Sequence, residues 1–475
     1  MAGTVRETVG DGSLADTVLV SNRGPLAFHL EDGRPVAAAS AGGLAGSLRP
    51  LVAGTGATWV ACALGEGDRM AAGAGLMQED GLRLELLDPD PDTYRLAYDV
   101  VSNATLWFCH HHLFDTPRRP RSDGHWAEAW EAYREYNRLF ADRVAAVAPE
   151  GGRVLVQDYH LTLVGAALAR KRPDLHTVHF THTPFADPST FRTLPTPVAG
   201  ELLSGLAGFH RCGFHTERWA GAYRSCQQEL GAPRGDGADP VPTFVSPLSV
   251  DPTRLAASVA DPAVGAARTR LDEALGDGDR RVILRVDRME LSKNLLRGFW
   301  AYEELLEQQP ERRGRVVFLA LAYRTRQGLA EYLAYENEVE STVARINERF
   351  ATDDWTPIVL LVDDDYPRSL AALTRYDVLL VNPIRDGLNL VAKEGPLVNT
   401  VDGVLALSRE AGAFEELRPG VLEVNPFDVS GTAAVLARAL DLDAGERAAM
   451  AKTLRELILE RQPSGWLRDL LAAAT

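Results

Sequence analysis

Short apolar runs that end in polar, glycine-containing turns and feed amphipathic stretches recur along the whole chain. Val378-Leu-Leu-Val381 is one, and it reads as a buried parallel strand. It passes into Asn382-Pro-Ile-Arg-Asp386-Gly-Leu-Asn389, then into Leu390, Val391, Ala392, Lys393 and Glu394, the predicted start of a helix. Thr17-Val-Leu-Val20, Val154-Leu-Val-Gln157, Val178-His-Phe180, Arg281-Val-Ile-Leu-Arg-Val286, residues 316–321, Ile358-Val-Leu-Leu-Val362, Val404-Leu-Ala-Leu407 and residues 421–425 predict further strands. Between them the apolar spacing is helical, as in Trp126, Trp130, Tyr133, Leu139 and Val144, or Val339, Val343, Ile346 and Phe350. A shorter helix is predicted at residues 164–171, and helices from about residue 431 close the chain. Strands alternating with helices, with polar residues at the strand tips, predict an α/β fold built from doubly wound, Rossmann-like sheets.

At 475 residues the chain exceeds one ordinary core. The Gly-, Pro- and Asp-rich residues 231–242 lead into Phe244-Val-Ser-Pro-Leu-Ser-Val-Asp-Pro252, which reads as the passage from one α/β set to the next. The expected plan is a flexible stretch at 1–16, a first domain at 17–247, a second at 248–455, and a helix at 456–475 crossing back to the first. Two such domains would face each other across a cleft, with the strand tips of both supplying its polar groups.

Composition narrows the function classes. With 45% hydrophobic and 24% charged residues, and no apolar run of the ~20 residues needed to cross a bilayer, no membrane role is expected. The first residues lack a hydrophobic signal core, which predicts a cytoplasmic protein. Cys62, Cys109, Cys212 and Cys226 are widely spaced and read as buried free thiols. A net charge of −16 argues against nucleic acid as a partner and requires any phosphate site to be a local cluster of Arg and Lys. His110-His111-His112 has no carboxylate at ligand spacing, so the triplet reads as structural and no metal or cofactor is expected. Phosphate loops of the GxxxxGK[ST] type and GxSxG elbows are absent. The sequence leaves homo-oligomerisation open.

Arg288 and Lys293, in the turn after a strand, can neutralise a diphosphate, the guanidinium bidentately and the ammonium as a point charge. Asp386 and Glu394 then suit sugar hydroxyls and a ribose diol. Such a cluster would do metal-free what a magnesium ion does elsewhere, stabilising charge on a departing phosphate. Arg23 and Arg326, from opposite halves, suit a second phosphate on an acceptor. Gly42 and Gly43, in a small-residue loop opening a helix, would let backbone amides approach a phosphate. Tyr98 and Trp107 bracket residues 100–106, and Asp158 and His182 lie at strand exits.

In order along the chain stand Ser21-Asn-Arg23, Gly42-Gly-Leu44, Ser102-Asn-Ala-Thr-Leu-Trp107, Asp158-Tyr-His-Leu161 and His182-Thr-Pro-Phe185. The second half adds Arg288-Met-Glu-Leu-Ser-Lys293, Arg385-Asp-Gly-Leu-Asn-Leu-Val-Ala-Lys-Glu394 and Val424-Asn-Pro-Phe-Asp428. Together, over residues 18–470, these resemble the trehalose-6-phosphate synthase family, retaining GT-B glycosyltransferases of family 20. The resemblance implies transfer of glucose from UDP- or GDP-glucose to glucose 6-phosphate with retention. It implies that Arg288 and Lys293 hold the donor diphosphate, approached also by the amides at Gly42 and Gly43. Glu394 would take the ribose, and Asp386 the donor glucose, helped by the backbone of Gly387, Leu388, Asn389 and Leu390. His182 would lie near the reacting end of that glucose. Arg23, Tyr98, Trp107 and Arg326 would bind the acceptor phosphate, and Asp158 the acceptor hydroxyls. In the family's usual account the leaving phosphate itself takes the acceptor proton on the face of attack. That agrees with a sequence showing no carboxylate pair at double-displacement spacing.

Two departures from the family pattern lie on the acceptor side: Cys62, near where the family often has a second tryptophan, and Gly24-Pro25-Leu26 after Arg23. The donor base stays open between UDP and GDP. Two other readings are a pseudo-glycosyltransferase joining a nucleotide-linked cyclitol to an amino-cyclitol phosphate, and a non-catalytic sugar-phosphate sensor. Tyr98, Trp107 and Asp158-Tyr-His160 speak against the first, and the intact set Arg288, Lys293, Asp386, Glu394 and His182 against the second.

Overall fold

The apolar runs become the central strands of two sheets in the computed structural model, which describes residues 14–39, 43–73, 75, 77–79, 81–231, 241–276 and 280–475. The chain divides into two units: one extends to Leu248 and includes Pro463–Thr475, and the other is Ser249–Gln462.

The strands of the first unit are β1 (Thr17–Arg23), β2 (Leu26–Glu31), β3 (Arg34–Ala39), β4 (Thr58–Cys62), β5 (Met77–Glu79), β6 (Leu82–Leu87), β7 (Arg153–Gln157), β8 (His176–Thr181), β9 (Arg211–Phe214) and β10 (Thr243–Val245). Among the described residues, eight of them form one sheet in the order β10-β9-β8-β7-β1-β4-β6-β5, and β2 and β3 form a hairpin beside it. Every pairing in the sheet is parallel except that of β5 with β6. The strand order reverses between β1 and β7, so their carboxyl ends flank a crevice of the kind where doubly wound sheets bind ligands. Arg23 ends β1, and Asp158 follows β7.

The second unit contains β11 (Arg281–Arg288), β12 (Val316–Tyr323), β13 (Ile358–Leu361), β14 (Val378–Val381), β15 (Val404–Ser408) and β16 (Leu422–Val424). Their order is β13-β12-β11-β14-β15-β16, all parallel. Here the reversal falls between β11 and β14, whose carboxyl ends lead to Arg288 and to Asn382. Val378, Leu379, Leu380 and Val381 are all buried, as strands covered on both faces require.

Several first-unit strands have weak sequence signals for physical reasons. Gly213 interrupts β9, yet nothing larger fits: a Cβ there would stand 2.4 Å from the Phe244 ring and 2.5 Å from the Phe180 ring. The segment Leu96–Leu106, which carries Tyr98 and leads to Trp107, is a π-helix. Its wide turn is supported by Ser102 Oγ donating to Ala97 O at 2.9 Å and Thr105 Oγ1 to Val100 O at 2.8 Å, each five residues back. Such turns are rare and gather at functional sites.

Gly213→Ala overpacks this contact and should destabilise the protein by about 1–3 kcal/mol. A urea titration reads the effect as a lower midpoint; an unchanged midpoint would show that the two phenylalanine rings move aside freely.

Candidate active site

In the second unit the site begins with a charge inside the sheet. Arg285, in the middle of β11, is wholly buried. Its guanidinium donates to Asp287 Oδ2 through Nε (3.2 Å) and Nη2 (2.9 Å). Nη2 also reaches Lys293 O at 2.9 Å and Asn382 Oδ1 at 3.2 Å. A buried guanidinium without these partners would cost several kcal/mol; with them it pins the loop after β11 to the loop after β14. Asn294, held at φ 60°, adds two bonds from its side-chain amide, to Asn382 O (3.0 Å) and Pro426 O (2.8 Å).

The pinned loops present the charges singled out in the sequence. Lys293 Nζ lies 2.6 Å from Asp386 Oδ2, which also accepts from Asn389 Nδ2 at 3.1 Å. Burial opposes charge on Lys293, but Asp386 and then Asp287 hold its pKa above the ordinary lysine value. Arg288 Nη1 is 2.8 Å from Glu290 Oε1, and Arg326 Nη1 is 3.5 Å from the same oxygen. Arg326, at φ 50°, also donates to Tyr332 OH at 2.7 Å. Arg326 thus shares the fully buried Glu290 with Arg288. Three cations with two carboxylates leave this patch with one net positive charge, in a protein whose overall charge is −16.

Asp386, Gly387, Leu388, Asn389 and Leu390 form the turn before the helix Val391–Val398. Asn389 sits at φ 83° and accepts from Ala392 N at 3.2 Å through Oδ1, capping the helix start. The turn is held from outside by Gly412, whose N–H donates to Asp386 O at 3.0 Å and where a Cβ would lie 2.0 Å from Gly387 O. Glu394, one turn into the helix, is half-buried, and burial pushes its carboxyl up to about 7.

In the first unit, Asp158 follows β7 at φ 69°, a conformation that is costly for any residue but glycine. Its Oδ1 accepts from His182 N at 3.1 Å, and its carbonyl lies 3.1 Å from His179 Nε2. The His182 ring is held between His215 Nε2 (3.1 Å) and Gln157 Oε1 (2.9 Å). Arg23 is exposed at the end of β1, above Ser21, which donates to Arg23 O and accepts from Trp59 Nε1, both at 2.8 Å. Tyr98 stacks on His160 (5.6 Å between centroids), His160 on Tyr159 (4.1 Å), and Tyr159 lies against Trp107 (6.0 Å). Asp158, His182, Tyr98 and Trp107 are thereby joined through short contacts within one unit. Cys62 is buried beside Tyr136, and burial pushes its thiol up to about 12. Gly42 lies outside the described residues, and Gly43 opens the helix Gly43–Val52.

Sequence reasoning missed Arg285, Asp287, Glu290, Asn294, Gln157 and His215. Arg285 and Asp287 left one usable sign: two opposite charges, two positions apart on one face, inside an otherwise apolar strand. Among the described residues no cluster of three His, Cys, Asp or Glu side chains could hold a metal ion, and no helix is long and apolar enough to cross a membrane.

Two doubly wound units with polar loops at their strand reversals are the plan of a GT-B glycosyltransferase. The family model for glycosyltransferase family 20 matches residues 15–475. A trehalose-6-phosphate synthase of Mycobacterium sp. (strain JLS) is 32% identical over 100% of this chain and 99% of its own length. The E. coli enzyme of that name, solved with UDP-2-fluoro glucose, is 27% identical with a TM-score of 0.81, covering 96% of this chain and 98% of that one. An α,α-trehalose-phosphate synthase (UDP-forming) from Burkholderia xenovorans, solved with glucose 6-phosphate, is 28% identical with a TM-score of 0.80 over 96% of this chain and 100% of that one. The chain belongs to glycosyltransferase family 20.

Because the Glu394 pKa lies above its ordinary 4.5, the folded protein holds a proton that the unfolded chain releases, and stability falls as pH rises from 4.5 to about 7. Glu394→Gln should therefore raise Tm at pH 8, with the gain shrinking to nothing near pH 4.5. Melting curves across that range decide it, and a gain independent of pH would remove the buried charge as its cause.

Proposed function

We propose that this protein transfers glucose from UDP- or GDP-glucose to glucose 6-phosphate, with retention, to give α,α-trehalose 6-phosphate. The observation that carries the reading is the Arg288–Lys293–Asp386 cluster at the strand reversal of the second unit. It supplies positive charge where a diphosphate would leave. The names of the relatives, and the UDP-2-fluoro glucose and glucose 6-phosphate bound in the solved neighbours, support the same reading.

In this reading Arg288 and Lys293 take the donor diphosphate, with the amides at Gly42 and Gly43 assisting. Both side chains are already paired with carboxylates, Glu290 and Asp386, so their positions are set before substrate arrives. Preorganised charge of this kind stabilises the leaving group without reorganisation during the reaction. Asp386 and the turn from Gly387 to Leu390 hold the donor glucose, and Glu394 accepts from the ribose diol once ionised. Arg23, Tyr98, Trp107 and Arg326 bind the acceptor phosphate, and Asp158 orients the acceptor hydroxyls. His182 lies by the reacting carbon. The bond from the anomeric carbon to the diphosphate breaks, the acceptor hydroxyl attacks from the same face, and the departing phosphate oxygen takes its proton. No protein nucleophile and no metal ion take part. A cytoplasmic setting follows from these substrates.

Incubation with UDP- or GDP-glucose and glucose 6-phosphate should release nucleoside diphosphate and trehalose 6-phosphate, undiminished by EDTA. Arg288→Ala and Lys293→Ala should each lose about 100-fold or more in kcat, by analogy with the loss of one preorganised donor, while Arg326→Ala chiefly raises the acceptor KM. Nucleotide binding without turnover would point to a sensor, and turnover only with cyclitol substrates to the pseudo-glycosyltransferase.

A further inference from the structure

Gln157, His182 and His215 form a hydrogen-bonded row whose direction is set at both ends by backbone groups. Leu248 N–H, which can only donate, lies 3.3 Å from His215 Nδ1. That nitrogen is therefore the acceptor, and His215 carries its proton on Nε2. His215 Nε2 lies 3.1 Å from His182 Nδ1, so it donates there and leaves the His182 proton on Nε2. From His182 Nε2 the proton points at Gln157 Oε1, 2.9 Å away. The far end is fixed as well: Gln157 Nε2 donates to the Leu155 carbonyl at 3.2 Å, and turning the amide over would set two acceptors against each other.

The row leaves no room for a second proton on either ring. A proton on His182 Nδ1 would face the His215 Nε2–H, and one on His215 Nδ1 would face the Leu248 N–H. Burial acts in the same sense, holding the His182 pKa well below the ordinary histidine value, with the neighbouring His215 and His179 adding to it. Phe180 (4.9 Å) and Trp466 (5.8 Å) pack against the His182 ring and keep it from turning.

We propose that His215 is a positioning residue for glycosyl transfer: with Gln157, it holds His182 as the neutral tautomer protonated on Nε2. This rests on the placement of His182 beside the reacting carbon under the proposed function. As the bond to the diphosphate breaks, positive charge gathers on the anomeric carbon and ring oxygen. A histidinium there would repel that charge, and the other neutral tautomer would set an Nε2 lone pair against Gln157 Oε1 and release the ring from its position. A neutral ring with its Nε2–H held by Gln157 Oε1 does neither: it adds no positive charge, and both of its nitrogens stay paired within the row.

The test compares two variants of the full chain. In His215→Gln the amide oxygen can accept from Leu248 N–H and the amide nitrogen can donate to His182 Nδ1, whereas His215→Phe fills the space and can do neither. Nitrogen-15 NMR of histidine-labelled protein should show His182 protonated on Nε2 alone in the wild type and in His215→Gln, and averaged between tautomers in His215→Phe. His215→Phe should lower kcat by about 10- to 100-fold, the loss expected of a misplaced catalytic group, with the KM for the sugar nucleotide little changed and Tm lowered by the unpaired Leu248 N–H and His182 Nδ1. His215→Gln should restore both turnover and Tm. A wild-type His182 protonated on Nδ1, or equal kcat in the two variants, overturns the proposal. The NMR result stands apart from substrate assignment: an enzyme inactive with glucose 6-phosphate defeats the proposed acceptor, whereas only a wrong or unlocked tautomer defeats the role of His215.

Discussion

The second unit depends on one buried guanidinium. Arg285 stands in the centre of a parallel sheet, where charge is expensive, and four acceptors surround it. Those acceptors come from β11 itself, from the loop that follows it, from the start of the next helix and from the loop after β14. The cost of leaving any of them unpaired keeps the two loops in register at the strand reversal. The surface charges of the site are in this sense set by an interior one. Lys293 is aimed by its own backbone carbonyl being held, and Asn382 is held by the same group.

Electrostatics differ in kind between the loops of the two units. Arg288 and Lys293 are paired with carboxylates and stay ionised despite burial, whereas burial alone pushes Glu394 up to about 7. Around Asp158 and His182 the partners are neutral: imidazoles, an amide, tyrosines and a tryptophan. A neutral, aromatic surrounding suits hydroxyl groups, and it lowers the pKa of His179 to about 4 through burial.

The central strands of both sheets were legible because parallel strands buried on both faces read as apolar runs. Those runs are unbroken from Val154, Val378 and Val404, and interrupted only by charges at Arg285 and Asp287 in the strand from Arg281. Short strands built from small or glycine-containing segments, such as β9, were not, since their stability comes from rings packed across the sheet. The charged residues in loops after strands were legible as chemistry. Their supports were not: Glu290 looks like any loop carboxylate, and Gln157 and His215 are meaningful only once a distant backbone N–H is in place. Nor does any one-dimensional pattern announce that Asp158, Arg326 and Asn389 adopt positive φ.

The π-helix from Leu96 to Leu106 decides which way two aromatic side chains look. In an ordinary helix each residue advances about 100°, so the nine steps from Tyr98 to Trp107 would end about half a turn out of phase, on opposite sides of the axis. Winding that closes every fifth residue advances less per step and returns the two rings toward a common side, where both reach the Tyr159–His160 pair. The pairing of these rings is thus a property of pitch: their separation along the chain would be the same in a regular helix, and only the slower rotation makes them neighbours in purpose.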